Sequence, residues 1–149
     1  MKITRISENK RDYLPLLLLG DEQEEMIDRY LERCDLHVLI GDDGEALAVI
    51  AVTDEGGGTL EIKNLAVRTQ DQGRGYGRKM IDHVAHVYQG RFDQMLVGTG
   101  DSPLTVPFYE RCGFVRCGVI PDFFVENYDH PIIEAGVQLR DMVLFRRAL

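Results

Sequence analysis

The sequence predicts an α/β (α+β) fold: a mixed sheet of six to seven strands, mostly antiparallel with one parallel central pair, and helices on both faces. Three observations predict it. Leu36 to Ile40, Ala46 to Val52 and Thr59 to Val67 are apolar runs separated by the turns Asp42-Asp43-Gly44 and Glu55-Gly56-Gly57-Gly58, the pattern of an antiparallel meander. Thr59 to Thr99 then reads strand, helix, strand, and such a unit in one sheet requires a right-handed crossover and parallel strands. Two further runs, Phe114 to Ile120 and Asp141 to Arg146, have strand character.

In chain order, Lys2 to Ile6 alternates as a short first strand, and Ser7 can cap a turn or helix. Tyr13 to Leu19 is apolar with helical composition, ends at Gly20, and is short because Pro15 fits only a first turn. Asp21 is placed to cap a second helix carrying Met26, Ile27, Tyr30 and Leu31 on one face. Ala46 to Val52 is apolar on both faces and is therefore a central strand. The helix from about Gly77 to Tyr88 puts Met80, Ile81, Val84, Val87 and Tyr88 on one face, to pack on the sheet. Met95 to Thr99 is the parallel strand. Ser102 and Pro103 start a last helix through Tyr109 to about Arg111, and Cys112-Gly113 ends it. A long loop, Pro121 to Gln138, precedes the last strand.

The 149 residues suit one domain, 1–149, with a full core. Hydrophobic content of 44% and charged content of 28% are ordinary for a globular chain. No apolar run approaches the ~18 residues of a membrane span, and the N-terminus lacks a secretory signal. Cys34, Cys112 and Cys117 are odd in number, lack a CxxC pair and are read as reduced thiols, which points to the cytoplasm.

Lys and Arg number 17 against 25 Asp and Glu, a net charge of −8 that repels a nucleic-acid backbone. The charge is unevenly spread. Asp21, Glu22, Glu24, Glu25, Asp28, Glu32 and Asp35 crowd one segment. Asp122, Glu126, Asp129 and Glu134 fall between Cys117 and Leu139, where there is no Lys or Arg. Arg68, Arg74, Arg78 and Lys79 gather instead around a glycine-rich loop. A basic end and two acidic segments suit an anionic cosubstrate and a cationic acceptor, although acids can also simply solvate a helix and a loop.

That loop is the centre of the chain. Gln72-Gly73-Arg74-Gly75-Tyr76-Gly77 stands between a strand and a helix, where unpaired first-turn amides and the helix dipole favour an anion. The spacing is one residue short of the dinucleotide fingerprint, and the G-x-x-x-x-G-K-[ST] loop does not occur. Gln72-x-x-Gly75-x-Gly77 resembles the Q/R-x-x-G-x-G/A signature of the GNAT superfamily of N-acetyltransferases. Phe108-Tyr109-Glu110-Arg111-Cys112-Gly113-Phe114 resembles the F-Y-x-x-x-G-F ending of the family's second motif. The element order is also similar to the GNAT fold, so the resemblance covers nearly the whole chain. Ser102 and Thr105 depart from that motif, standing where asparagine and alanine are expected.

The resemblance implies transfer of an acetyl group from acetyl-CoA to a primary amine, in a ternary complex and without a metal. It implies that Gln72, Gly73, Arg74, Gly75, Tyr76, Gly77 and Arg78 cradle the pyrophosphate, that the backbone of Leu65, Ala66 and Val67 binds the thioester and pantetheine arm, and that Ser102 lies near the coenzyme. Tyr109 is the implied acid: a phenol, close to a thiol in acidity, protonates the departing thiolate. A core aromatic is its alternative role. Glu61 is the implied base, since an ammonium near pKa 10 cannot attack until it loses a proton. A strand residue paired with Lys63 is its alternative role. The acceptor is expected to be a cationic small molecule or peptide amine, with the aromatic and acidic segment Asp122 to Pro131 a candidate contact. His83 and His86 are expected at the surface and His37 in a structural place. Neither nucleic acid nor membrane is expected as a partner, and a homodimer fits the family. A non-catalytic acyl-CoA-binding sensor of the same fold is the alternative function. A member acting on charged transfer RNA is the other, and the acidic charge argues against it.

Overall fold

A computed structural model describes all residues, Met1–Leu149. β1 (Lys2–Ile6), β2 (Asp35–Ile40), β3 (Ala46–Asp54) and β4 (Thr59–Val67) form the antiparallel meander. β5 (Gln94–Gly100) is parallel to β4. β6 (Val115–Ile120) is an edge strand, and β7 (Ile133–Glu134) pairs with β8 (Val137–Gln138) in a separate hairpin. The last strand, β9 (Met142–Ala148), inserts between β5 and β6, antiparallel to both. The main sheet therefore has 7 strands in the order β1-β2-β3-β4-β5-β9-β6.

Helices cover both faces. On one, α3 (Tyr76–Tyr88) buries Met80, Ile81, Val84 and Tyr88 against Leu60, Ile62, Met95 and Val97, and α4 (Val106–Arg111) adds Tyr109. On the other, α1 (Leu14–Gly20) and α2 (Glu24–Asp28) carry Leu16, Leu17 and Ile27 onto Leu36, Val38, Val49 and Ala51. Each such side chain, fully buried, contributes about 2 kcal/mol. Val87, expected on the packed face of α3, is 39% exposed because it falls at the rim of the apolar stripe.

Several boundaries differ from expectation. The helix expected from Ser102 starts at Val106, with Thr105 as its N-cap. Pro107 explains this: its ring lacks an N–H and would clash with the Pro103 carbonyl four residues back, so residues 102–105 form a turn instead. Asp21 does not cap α2, whose N-cap is Gln23 and which has no side-chain cap. The chain leaves α2 through hydrogen-bonded turns to Cys34, and the Lys10 ammonium closes that end on the carbonyls of Leu31, Glu32 and Cys34 at 2.7 to 3.2 Å. The expected loop, Pro121 to Gln138, contains α5 (Phe123–Asn127) and the β7–β8 hairpin.

Two irregularities in β4 prepare the site. Ala51 pairs with Asn64 but Val52 with Ile62, so Lys63 is an extra, bulged residue. Because side chains alternate with period two, the bulge reverses which residues face α3. Leu60 and Ile62 face α3 before it, and Leu65 and Val67 after it. Ala66 packs with the α1–α2 core, and Asn64 donates to the Leu17 carbonyl at 2.8 Å and to the Tyr30 hydroxyl at 3.0 Å on that same face. The second irregularity is the register with β5, which runs from Thr59↔Gln94 to Ile62↔Val97 and stops. Beyond Ile62 the two parallel strands part.

Candidate active site

The parting of β4 from β5 leaves backbone without a strand partner. The Arg68 amide donates to the Leu47 carbonyl at 2.8 Å. By alternation along an antiparallel pair, Ala66 also turns its polar groups to β3, while Leu65 and Val67 turn theirs into the gap. The family resemblance groups Leu65, Ala66 and Val67 together; the register separates them, with Ala66 committed to β3 and to the core.

The glycine loop comes directly after β4. Gly73 and Gly75 have φ of +81° and +85°, and a β-carbon on either would meet nothing within 4 Å. Their absent side chains therefore serve the backbone turn and leave an open approach. Gly77 serves packing instead: a β-carbon there would lie 3.0 Å from Cζ of Phe108 on α4. Lys79 makes the first helical bond of α3, to the Gly75 carbonyl. The amides from Gly73 to Arg78 find no acceptor in the protein. Successive free amides at a helix N-terminus form a concave donor surface fitted to a phosphate group.

Side chains hold that loop in place. Gln72 Nε2 donates to the Val67 carbonyl at 3.0 Å, so the glutamine ties the loop to β4. Asp71, buried, accepts from Arg68 Nε at 2.6 Å and lies 3.5 Å from Arg74 Nη1. Arg78 pairs loosely with Asp82 at 3.9 Å and is 62% exposed. The motif letters do not distinguish these jobs: Gln72 positions the loop, Asp71 orients two arginines, and the amides from Gly73 to Arg78 are the available donors.

Tyr109, on α4, packs into the core on the α3 face of the sheet. Its ring packs edge-on against Phe108 and Phe114, and stacks with Phe145 at 6.4 Å. Burial raises the phenol pKa well above its usual value, and the charges of Cys112 and Glu134 push in the same direction. The hydroxyl accepts and donates no hydrogen bond within the protein, yet it is not among the polar atoms sealed from solvent. A core tyrosine normally finds a partner for that hydroxyl; here it has none. Ser102 is buried, and its Oγ accepts from the Leu104 amide at 3.1 Å. The hydroxyl is thus engaged in the turn before α4.

Glu61 lies just before the split. Its carboxylate is 2.6 Å from Lys63 Nζ, and Lys63 in turn lies 3.9 Å from Glu55, which Arg33 and Thr53 hold at 2.8 and 2.7 Å. The alternative role read from the sequence, a pairing with Lys63, is therefore present in the structure. The ion pair also fixes the carboxylate one residue from the last β4–β5 rung.

A lid made by α5, the β7–β8 hairpin and their flanks closes the face opposite α3. The Tyr128 hydroxyl donates to Asp21 at 2.7 Å, the Asp129 amide to Gln23 at 3.0 Å, and Arg29 to Asn127 at 3.2 Å. Burial pushes the Asp21 carboxyl up, and the Tyr128 hydrogen bond opposes it. These contacts, and Glu134 within electrostatic reach of Tyr109, join segments far apart in the chain and leave no local pattern to read. Away from the site, His37 is buried with Nε2 3.0 Å from the Tyr88 hydroxyl, and His83 is partly covered by an edge-on contact with His37 rather than fully exposed. His86 is exposed as expected.

Residues 34–116 match the family described as an Acetyltransferase (GNAT) domain. The N-acetyltransferase YvbK of Bacillus subtilis, itself uncharacterized, is 32% identical over 145 residues, spanning 96% of this chain and 93% of its own. Among solved structures, a GNAT family acetyltransferase from Elizabethkingia anophelis with acetyl-CoA bound superposes with a TM-score of 0.93 at 29% identity, covering 99% of this chain and 97% of that one. An IAA acetyltransferase from Bacillus cereus superposes with a TM-score of 0.90 at 33% identity, covering 99% of each.

Proposed function

The chain belongs to the GNAT acetyltransferase family and is an acyltransferase with acetyl-CoA as its cosubstrate, and from that premise we propose that it acetylates a primary amine on a cationic small molecule or peptide by direct attack in a ternary complex. The observation that carries the proposal is the arrangement around the β4–β5 gap. Free amides from Gly73 to Arg78 lie at one end, the Leu65 backbone and the Val67 amide run along it without a strand partner, and Tyr109, its hydroxyl unpartnered, packs on Phe145 of β9, the register partner of Val97 on β5.

Acetyl-CoA supplies an activated acetyl thioester and, on transfer, a thiolate leaving group. The loop amides, with Arg74 and Arg78, hold its pyrophosphate. The Leu65 and Val67 backbone binds the pantetheine arm, and an N–H there faces the charge that develops on the thioester oxygen. Tyr109, kept protonated by its buried setting, gives its proton to the thiolate. Glu61, held beside Lys63, attracts the acceptor ammonium and relays its proton through water. Acidic residues of the α1–α2 segment and of the lid favour a cationic acceptor.

The same reading has one catalytic domain, 1–149, working as a homodimer in the cytoplasm without a metal, nucleic acid or membrane as partner. Unpaired Cys34, Cys112 and Cys117 support a reducing compartment, and the exposed Val115, Val119 and Ile120 on the edge strand β6 support self-association. No helix is long and apolar enough to cross a membrane.

The test is thiol release from acetyl-CoA against polyamines, aminoglycosides, amino acids and peptide N-termini, with Tyr109→Phe and Glu61→Gln alongside. Release that depends on one amine class and falls in both variants establishes the reading. Coenzyme binding without release from any amine points instead to a sensor.

A further inference from the structure

We infer that Glu134 is a substrate-binding residue, its carboxylate the counter-charge that receives the acceptor's ammonium opposite Tyr109. The inference deepens the proposed amine acetylation and rests on it.

The hairpin aims this side chain inward. Ala135 and Gly136 both have positive φ, 50° and 77°, which makes a two-residue turn of the primed kind. Its stem is closed by the Leu139 amide on the Ile132 carbonyl at 2.8 Å. Along an extended strand, side chains alternate. Ile132 is buried and Ile133 is 57% exposed, so Glu134 returns to the inner side with Ile132.

The base of the hairpin is seated at the gap. Leu139 and Met142 fill the space that side chains on Gly100 and Gly98 would take. Both glycines lie on β5 beyond Val97, the last residue paired with β4. The lid thus rests on the part of β5 that has left its parallel neighbour.

Glu134 is unmatched there. Its Oε2 is closed off from solvent and accepts no hydrogen bond, although the residue as a whole is partly open. The other lid acids differ: Asp122 is met by Arg140 at 3.3 Å, Asp129 by its neighbour His130 at 2.5 Å, and Glu126 is exposed to solvent. No Lys or Arg lies between Cys117 and Leu139 to neutralise Glu134 locally. Buried carboxylate oxygens are normally hydrogen-bonded, and one without a donor calls for an explanation. A primary ammonium brings three donors and a positive charge, which satisfies both deficits. The terminal torsion of a glutamate is broad, so either oxygen can turn to that donor. Glu134 is also the one acid of this segment whose charge adds to the upward push on the Tyr109 phenol, in line with the hairpin's seat on β5.

The experiment compares wild type, Glu134→Gln and Glu134→Asp. It uses acetyl-CoA and whichever of the polyamines, aminoglycosides, amino acids and peptides has the highest wild-type kcat/KM. Glu134→Gln keeps the shape and removes the charge. The expected result is a KM for the amine raised at least tenfold, partial recovery in Glu134→Asp, and an unchanged KM for acetyl-CoA and unchanged thermal midpoint. An amine KM within twofold of wild type in Glu134→Gln overturns the assignment while amine acetylation stands. A loss of acetyl-CoA affinity or of thermal stability equal to the loss of activity also overturns it, since the residue would then be supporting the fold. Wild-type protein that binds acetyl-CoA and acetylates no amine overturns the assignment together with the function beneath it.

Discussion

Ile62 on β4 is paired with Val97 on β5, and no rung of that ladder lies beyond it. Between parallel strands such a split exposes backbone donors and acceptors that would otherwise be consumed. One residue later the bulge at Lys63 turns Leu65 and Val67 towards α3, the helix that begins at the glycine loop. Pairing, bulge and loop together set strand backbone without a strand partner beside the free amides of the glycine loop.

Tyr109→Phe removes a hydroxyl with no partner in the protein and leaves its aromatic packing on Phe108, Phe114 and Phe145 in place. Stability is expected to stay within about 0.5 kcal/mol of wild type. Loss of a general acid is expected to lower kcat by about 10². Steady-state rates with denaturant unfolding of the same preparation check both numbers.

Gly77→Ala places a β-carbon 3.0 Å from Cζ of Phe108, and the strain lands between α3 and α4. The expected destabilisation is about 1 to 3 kcal/mol. Phe108→Leu in the same chain makes room and is expected to return part of it. A double-mutant cycle by denaturant unfolding measures this, and additive effects would rule the contact out as the cause.

His37 is 3% exposed, and burial with the neighbouring His83 lowers its pKa from 6.5 to about 4, against the weaker upward pull of Asp35. Between those values the unfolded chain binds a proton that the folded chain does not. The histidine's contribution is therefore intact above pH 6.5 and is lost as pH falls towards 4, by up to about 3 kcal/mol. Urea unfolding at stepped pH is expected to show that decline, and His37→Gln is expected to flatten it.

Tyr128→Phe takes from Asp21 the hydroxyl that joins the lid to the α1–α2 segment. Asp21 is left with one donor fewer, and stability is expected to fall by about 1 kcal/mol. In the proposed reaction the lid contacts the acceptor, so the amine KM is expected to rise several-fold while the acetyl-CoA KM holds. Paired titrations of the two substrates test it; an equal rise in both would place the contact elsewhere.

The sequence by itself determined the sheet's make-up and marked the residues proposed for the cosubstrate half of the site. The meander, the crossover, the loop from Gln72 to Arg78 and the position of Tyr109 are local signals, written in period-two and helical apolar patterns and in glycines needed for positive φ. The tertiary structure alone decided how those parts work. The bulge at Lys63 leaves the buried–exposed alternation of β4 unbroken while reversing its faces, so no pattern of apolar residues could reveal it. The same folding put β9 between β5 and β6, gave Gln72 to the Val67 carbonyl, joined Tyr128 to Asp21, and set Glu134 within electrostatic reach of Tyr109. Apart from Gln72, these are relationships across long stretches of chain, created by packing and register. A strand's periodicity reports whether a residue is covered, and only the fold decides by what.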